Sequence, residues 1–265
     1  MFNEPPAQFL YSAYRLDVQH ADDIGNICGG VATGFIVATS SSLGWLVTNR
    51  HVVDSTYRPT EEKCKKCTLK RLSVTGRRSD DSAYTFVLHP DARILYHSDP
   101  ANDVALVQTR FLHEDFSGDE FKLHWHFGLQ HLAAPELFAD GLQPFDLICY
   151  TGFPDQHDKL GDRPIIRSGH ISSDPKFNYT WDKEYRGECV AYEGFSMGGS
   201  SGSPVFAPSR GMQSIANSRD GYLIGVNAGH VKHSKGFAGG HSGVSFFYKS
   251  TVILEIVEQH GLAAG

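Results

Sequence analysis

Nowhere does this chain of 265 residues approach the roughly 18 successive apolar residues that a membrane-crossing helix requires. Met1 to Ala13 also lacks the basic start and unbroken apolar run of an export leader. A long basic run is missing too: the densest cluster is Lys63, Lys65, Lys66, Lys70 and Arg71, in a chain of formal net charge -6. Without a surplus of cations there is little non-specific attraction for phosphate backbones, so neither a nucleic-acid partner nor a membrane partner is expected. Cysteine is scarce and odd in number. Five residues leave at least one thiol outside any intramolecular disulfide set, and a chain of this length does not need disulfides to hold a core. A reducing, cytoplasmic setting is the simpler expectation, although a mature exported form would read the same way.

What is present is enough apolar residues, 40% of the chain, to bury one large domain or two compact halves. Short β-branched and aromatic runs, separated by Gly, Ser, Asp and Pro, recur at Tyr11 to Val18, Ala32 to Ala38, Gly44 to Asn49, Leu69 to Thr75, Tyr84 to His89 and Val104 to Arg110. A second set follows at Phe145 to Gly152, Pro164 to Ser172, Glu188 to Glu193, Ser203 to Ala207, Tyr222 to Gly229 and Gly243 to Tyr248. The pattern predicts an all-β protein with about six strands in each half, and argues against alternating strand and helix units. The looser, acidic stretch from Phe111 to Pro144 is read as the connector. Val252, Ile253, Ile256, Val257 and His260 recur at helical spacing and predict one amphipathic C-terminal helix.

The most specific stretch is Gly198-Gly199-Ser200-Ser201-Gly202-Ser203-Pro204-Val205-Phe206, a serine held among glycines immediately before a strand. Glycine allows backbone N–H groups to converge on one point, where two of them hold an oxyanion while the serine oxygen attacks. The amides of Gly199 and Ser201 are the candidate donors. An isolated Gly/Ser run is more often a surface loop, so the assignment depends on the rest of the chain. Serine needs a base, usually His, and that base needs an acceptor to fix its tautomer. Trp45-Leu46-Val47-Thr48-Asn49-Arg50-His51 delivers His51 from the end of an apolar strand, and Asn102-Asp103-Val104-Ala105-Leu106-Val107 sets Asp103 just before another. Asp54 and Asp99 compete for the acid's place, but neither is followed by such a strand.

Together these stretches resemble the chymotrypsin-like serine proteases, in which the order is His, Asp, Ser. Positions 51, 103 and 201 are separated by 52 and 98 residues. The resemblance also takes in Thr33-Gly34-Phe35-Ile36-Val37 and Gly225-Val226-Asn227-Ala228-Gly229, and the Gly-Ser-Ser-Gly-Ser-Pro-Val-Phe loop is similar to the bacterial branch, with its glutamyl endopeptidases and heat-shock proteases. It implies two six-stranded antiparallel β-barrels with a C-terminal helix. Residues 1–125 would carry His51 and Asp103, and residues 126–265 would carry Ser201. The implied activity is hydrolysis of peptide bonds through an acyl-enzyme, with no cofactor. The partner is a protein or peptide substrate, with room for a regulatory protein. Phe195, Asn227, Ala228 and Gly229 are the implied substrate-binding residues.

The departures narrow this. Val52 and Val53 follow His51 where the animal enzymes have a disulfide cysteine, and Ser200 replaces the aspartate that receives their new N-terminus. Phe195 stands where an acid would select Lys or Arg, and Asn227 where glutamyl endopeptidases carry His; His230 is three residues further on. A catalytically silent protease fold that binds proteins or peptides is the competing reading. An α/β-hydrolase using Ser201, Asp220 and His241 fails because Ser203 breaks the Gly-x-Ser-x-Gly elbow. Cys64-Lys65-Lys66-Cys67 brings only two ligands, and a structural zinc normally takes four. Cys28, Cys149, Cys189, His124 or His126 would have to be added by the fold, so no metal is assigned from the sequence. His230, His233 and His241 are too irregularly spaced for a metal and read as a loop beside the cleft.

Overall fold

The computed structural model of the protein describes residues 7–40, 43–59, 62–78, 80–89, 91–109, 125–211, 218–232 and 240–262. The first half holds a short helix α1 (Ala7–Tyr11) and strands β1 (Tyr14–Ala21), β2 (Ile27–Ser40), β3 (Leu43–Thr48), β4 (Thr68–Arg77), β5 (Ala83–Val87), β6 (Ile94–Tyr96) and β7 (Ala105–Gln108). These pair in the order β5-β4-β1-β2-β3-β7-β6, and β8 (Phe127–Gly128) adds itself alongside β2. The one-turn helix α2 (Arg50–Val53) follows β3 directly.

Both faces of β2 and β3 are buried. Phe35, Val37, Trp45 and Val47 enter a core shared with the second half, while Ile36 and Leu46 enter the core of the first half with Leu16, Val74 and Phe86. Alternate side chains thus serve two cores, and the strands read as continuous apolar runs rather than as an alternating pattern. The second half is a closed barrel, β10-β11-β14-β13-β12-β9. Its strands are β9 (Leu147–Gly152), β10 (Ile165–Ile171), β11 (Cys189–Glu193), β12 (Pro204–Ala207), β13 (Tyr222–Lys232) and β14 (His241–Lys249). Closure leaves no open edge. The interior is filled by Ile148, Tyr150, Val190, Tyr192, Val205, Ile224 and Phe247.

The terminal helix α3 (Ser250–Gln259) buries Val252, Ile253, Ile256 and Val257 in the shared core. At about 1.5–3 kcal/mol for each large aliphatic side chain removed from water, that face is a substantial part of the contact holding the halves together. Glu255 on its outer side meets Nε2 of the buried His97, in the first half, at 2.6 Å.

The mostly-β architecture and terminal helix agree with the sequence reading. Among the described residues the sheet of the first half has eight strands where about six were expected, β8 joining it from beyond residue 125; β6 and β8 span three and two residues, too short to show any period. The stretch beginning at Tyr11 enters its strand only at Tyr14, since Ala7–Tyr11 turns as a helix and stacks Phe9 on Phe206 with ring centroids 4.2 Å apart. Residues 111–124 of the expected connector, His124 among them, lie outside the described residues, as does His233. The remainder of the connector is packed: Phe127, Leu132, Phe138 and Leu142 are buried. Cys28 and Cys64 form a disulfide, a pairing the sequence did not single out, and Cys67, Cys149 and Cys189 lie outside it.

Candidate active site

The strand β3 ends at Thr48, and the chain turns at Asn49 into α2. Asn49 is fully buried, and its side-chain amide donates to the Asp103 carbonyl (2.8 Å), tying this turn to the start of β7. Arg50 lies over the Tyr57 and Tyr96 rings, 4.5 and 4.4 Å from their centroids, and pairs with Asp54. Cation–π contact with two rings holds the first turn of α2, which carries His51.

Asp103 is 5% exposed. One carboxylate oxygen, Oδ1, accepts the His51 backbone N–H (2.9 Å), and the other, Oδ2, meets His51 Nδ1 at 2.7 Å. A carboxylate can only accept, so Nδ1 carries the proton and Nε2 is left with a lone pair. Burial lowers the pKa of His51, but the charge of Asp103 and its hydrogen bond outweigh burial and raise it above the ordinary 6.5, with the Arg58 guanidinium opposing them.

Ser201 sits in a turn whose backbone is spoken for nearly everywhere else. Ser200 N–H donates to the Met197 carbonyl, Ser203 N–H to Ser200 and Gly202 N–H to Asn227. Among the described residues neither the Gly199 nor the Ser201 amide has a backbone acceptor, as oxyanion donors require. Gly199 (φ 88°) and Gly202 (φ 86°) lie in the left-handed region; a Cβ at Gly199 would come within 2.2 Å of the Phe153 carbonyl oxygen, and one at Gly202 within 2.0 Å of that of Thr33. Glycine is required at both by conformation and by space.

Thr33 on β2 is the link between the halves. Its N–H donates to the Ser201 carbonyl (2.9 Å), its hydroxyl donates to the Gly199 carbonyl (2.7 Å) and accepts from Phe153 N–H (3.0 Å), and its carbonyl accepts from Thr48 (2.8 Å). The sequence placed Thr33 in the family-like strand without seeing this. Only its position on a strand next to the Ser201 loop, known once the fold is known, reveals it.

His51 and Ser201 line one cleft of about 300 Å³, together with Val18, His20, Cys28, Cys64 and Tyr57. Asp103 lies behind His51. The Ser201 hydroxyl donates to the Ala228 carbonyl at 3.4 Å. The other expected substrate residues are placed unequally. Phe195 is 55% exposed and packs on His241, whose ring stacks on His230. Asn227 is fully buried; its side chain accepts from the Tyr192 hydroxyl and donates to Ser196 Oγ and the Ser200 carbonyl, and its backbone is bonded to Gly202 and Ser203. It braces the Ser201 loop, while Ala228, buried in the shared core, turns its carbonyl to the Ser201 hydroxyl. Ser196, not singled out in the sequence, joins this brace.

A family model described as trypsin-like peptidase domain matches residues 32–212, more than half of the chain, including His51, Asp103 and Ser201. No curated protein matches significantly. Among solved structures, the fold is similar to protease Anisep from Arthrobacter nicotinovorans (TM-score 0.59, 15% identity, 97% of this chain and 98% of that one). It is similar to the thermostable serine protease AL20 from an extremophilic microorganism (TM-score 0.57, 11% identity, 95% and 98%). It is also similar to Deg5 (TM-score 0.53, 15% identity, 94% and 88%). By the match over residues 32–212, this chain belongs to the trypsin-like peptidase family.

Proposed function

We propose that the chain is a serine endopeptidase in which Ser201 is the nucleophile, His51 the general base and Asp103 the residue that orients and charges the base. The observation that carries this reading is the two-point grip of Asp103 on His51 at the wall of a cleft that Ser201 also lines. His51 Nε2 takes the Ser201 proton as Oγ attacks the peptide carbonyl. The imidazolium formed is stabilised by Asp103, and it returns the proton to the leaving amine; water then repeats the sequence on the acyl-enzyme. Charge on the tetrahedral oxygen is met by the amides of Gly199 and Ser201. The resting hydroxyl is held on the Ala228 carbonyl. An extended peptide that pairs with Ala228 and Gly229 competes for that carbonyl and frees the hydroxyl for His51.

Cleavage profiling of the full chain on a peptide library tests this, with Ser201→Ala as control. The reading predicts cleavage of unstructured peptides by the wild type and a loss of about 10⁶-fold in the variant. Equal turnover by both would refute it. Library binding without turnover by the wild type would support the silent, peptide-binding reading.

A further inference from the structure

The fold supplies the Cys64–Cys67 pair with the ligands that the sequence could not. Strand β2 brings Cys28 to them: Cys28 is bonded to Cys64, and the Cys67 sulfur lies 3.7 Å from the Cys28 sulfur, buried. Two thiolates on one tetrahedral zinc, each about 2.3 Å from the metal, stand about 3.8 Å apart. Three sulfurs therefore already occupy one small volume.

His20 is the candidate for a fourth donor. His20 on β1 is the direct cross-strand partner of Cys28 on β2, so their side chains leave the sheet on one face. His20, Cys28 and Cys64 line the same cleft wall. His20 is only 4% exposed, and its Nε2 is buried with no hydrogen-bond partner. A buried ring nitrogen without a partner is costly and requires a reason. The Val53 carbonyl supports the ring as well. An imidazole with one nitrogen held by a backbone carbonyl and the other bare is the arrangement of a metal-ligating histidine.

We propose that in the reduced chain Cys28, Cys64, Cys67 and His20 bind one zinc ion. Among the described residues no group of three or more ligands is assembled as the structure stands, and Cys28 and Cys64 are joined in it; in the proposal the disulfide and the metal are alternative occupants of one position. A dithiol reductant connects them. It delivers two electrons and two protons, the Cys28–Cys64 bond breaks to two thiols, and the reductant closes to its own disulfide. Zinc then displaces three thiol protons and takes Nε2 of His20 as the neutral fourth ligand. The result closes the loop after α2 onto β1 and β2, as the disulfide does when oxidised.

The test uses the full chain, reduced with a dithiol and freed of it without oxygen. Zn²⁺ is titrated against a chromophoric chelator, and Co²⁺ serves as a spectroscopic probe. The expected result is one Zn²⁺ per reduced chain, a strong thiolate-to-cobalt absorption, no uptake by the oxidised chain, and affinity lowered about 100-fold or more by Cys67→Ser and by His20→Asn. Cys149→Ser, which alters a buried cysteine on β9, leaves uptake unchanged. No uptake by the reduced wild type, or uptake that survives Cys67→Ser and His20→Asn, overturns the proposal. The cobalt spectrum of the wild type decides the matter even where a variant fails to fold. None of these readouts depends on peptide cleavage, so this site and the peptidase mechanism stand or fall separately.

Discussion

In the proposed mechanism the bond between Asp103 and His51 sets the pH dependence. That mechanism needs His51 neutral, and Asp103 holds its pKa above 6.5 against the lowering effect of burial. The acid limb of kcat/KM is therefore expected to have its midpoint above pH 6.5, since that profile reports the free enzyme. Asp103→Asn removes the raising influence and leaves burial, so the midpoint moves down while kcat falls by about 10⁴-fold. A profile that stays in place would show that Asp103 does not control this base. Thr33→Val is expected to leave Phe153 N–H and the Gly199 carbonyl without their partner, costing about 1–3 kcal/mol in a urea titration along with a fall in kcat. The three residues proposed for chemistry were legible because each sits at a distinctive junction of strand and turn. Thr33 and Ser196 were not, because their roles consist of bonds to residues far along the chain.

At the level of elements, the Ser201 loop depends on glycines that have no freedom to change. Gly202→Ala sets a methyl group 2.0 Å from the Thr33 carbonyl in a left-handed conformation. The expected outcome is a protein with the far-UV circular dichroism of the wild type and a peptidase rate at least about 100-fold lower; wild-type activity would show that the loop yields easily. Strand positions were legible wherever β-branched and aromatic runs exceed four residues. They failed at β6 and β8, whose pairing comes from neighbours rather than their own pattern, and at α1, too short for a helical period. The Cys28–Cys64 bond was illegible for a different reason: pairing over 36 residues is a property of where β2 meets the loop after α2, and spacing alone does not encode it.

Across the whole molecule, one core spans both halves, joining Phe35, Val37, Trp45 and Phe127 to Phe206, Val226, Val252 and Ile256. The halves are therefore expected to unfold together. Ile253→Ala in α3 removes a fully buried side chain at a cost of about 2–5 kcal/mol. It should lower Tm by on the order of 10 °C while keeping a single calorimetric transition; a split transition would show that the halves are independent. That shared core carries β2, with Thr33, to the Ser201 loop, and His51 and Ser201 line one cleft. The most direct test of that assembly is labelling of the full chain with a fluorophosphonate, followed by peptide mass spectrometry. The account predicts one adduct, on Ser201, abolished in Ser201→Ala and strongly slowed in His51→Ala; an adduct that persists in Ser201→Ala, or a wild type that does not label, would contradict it.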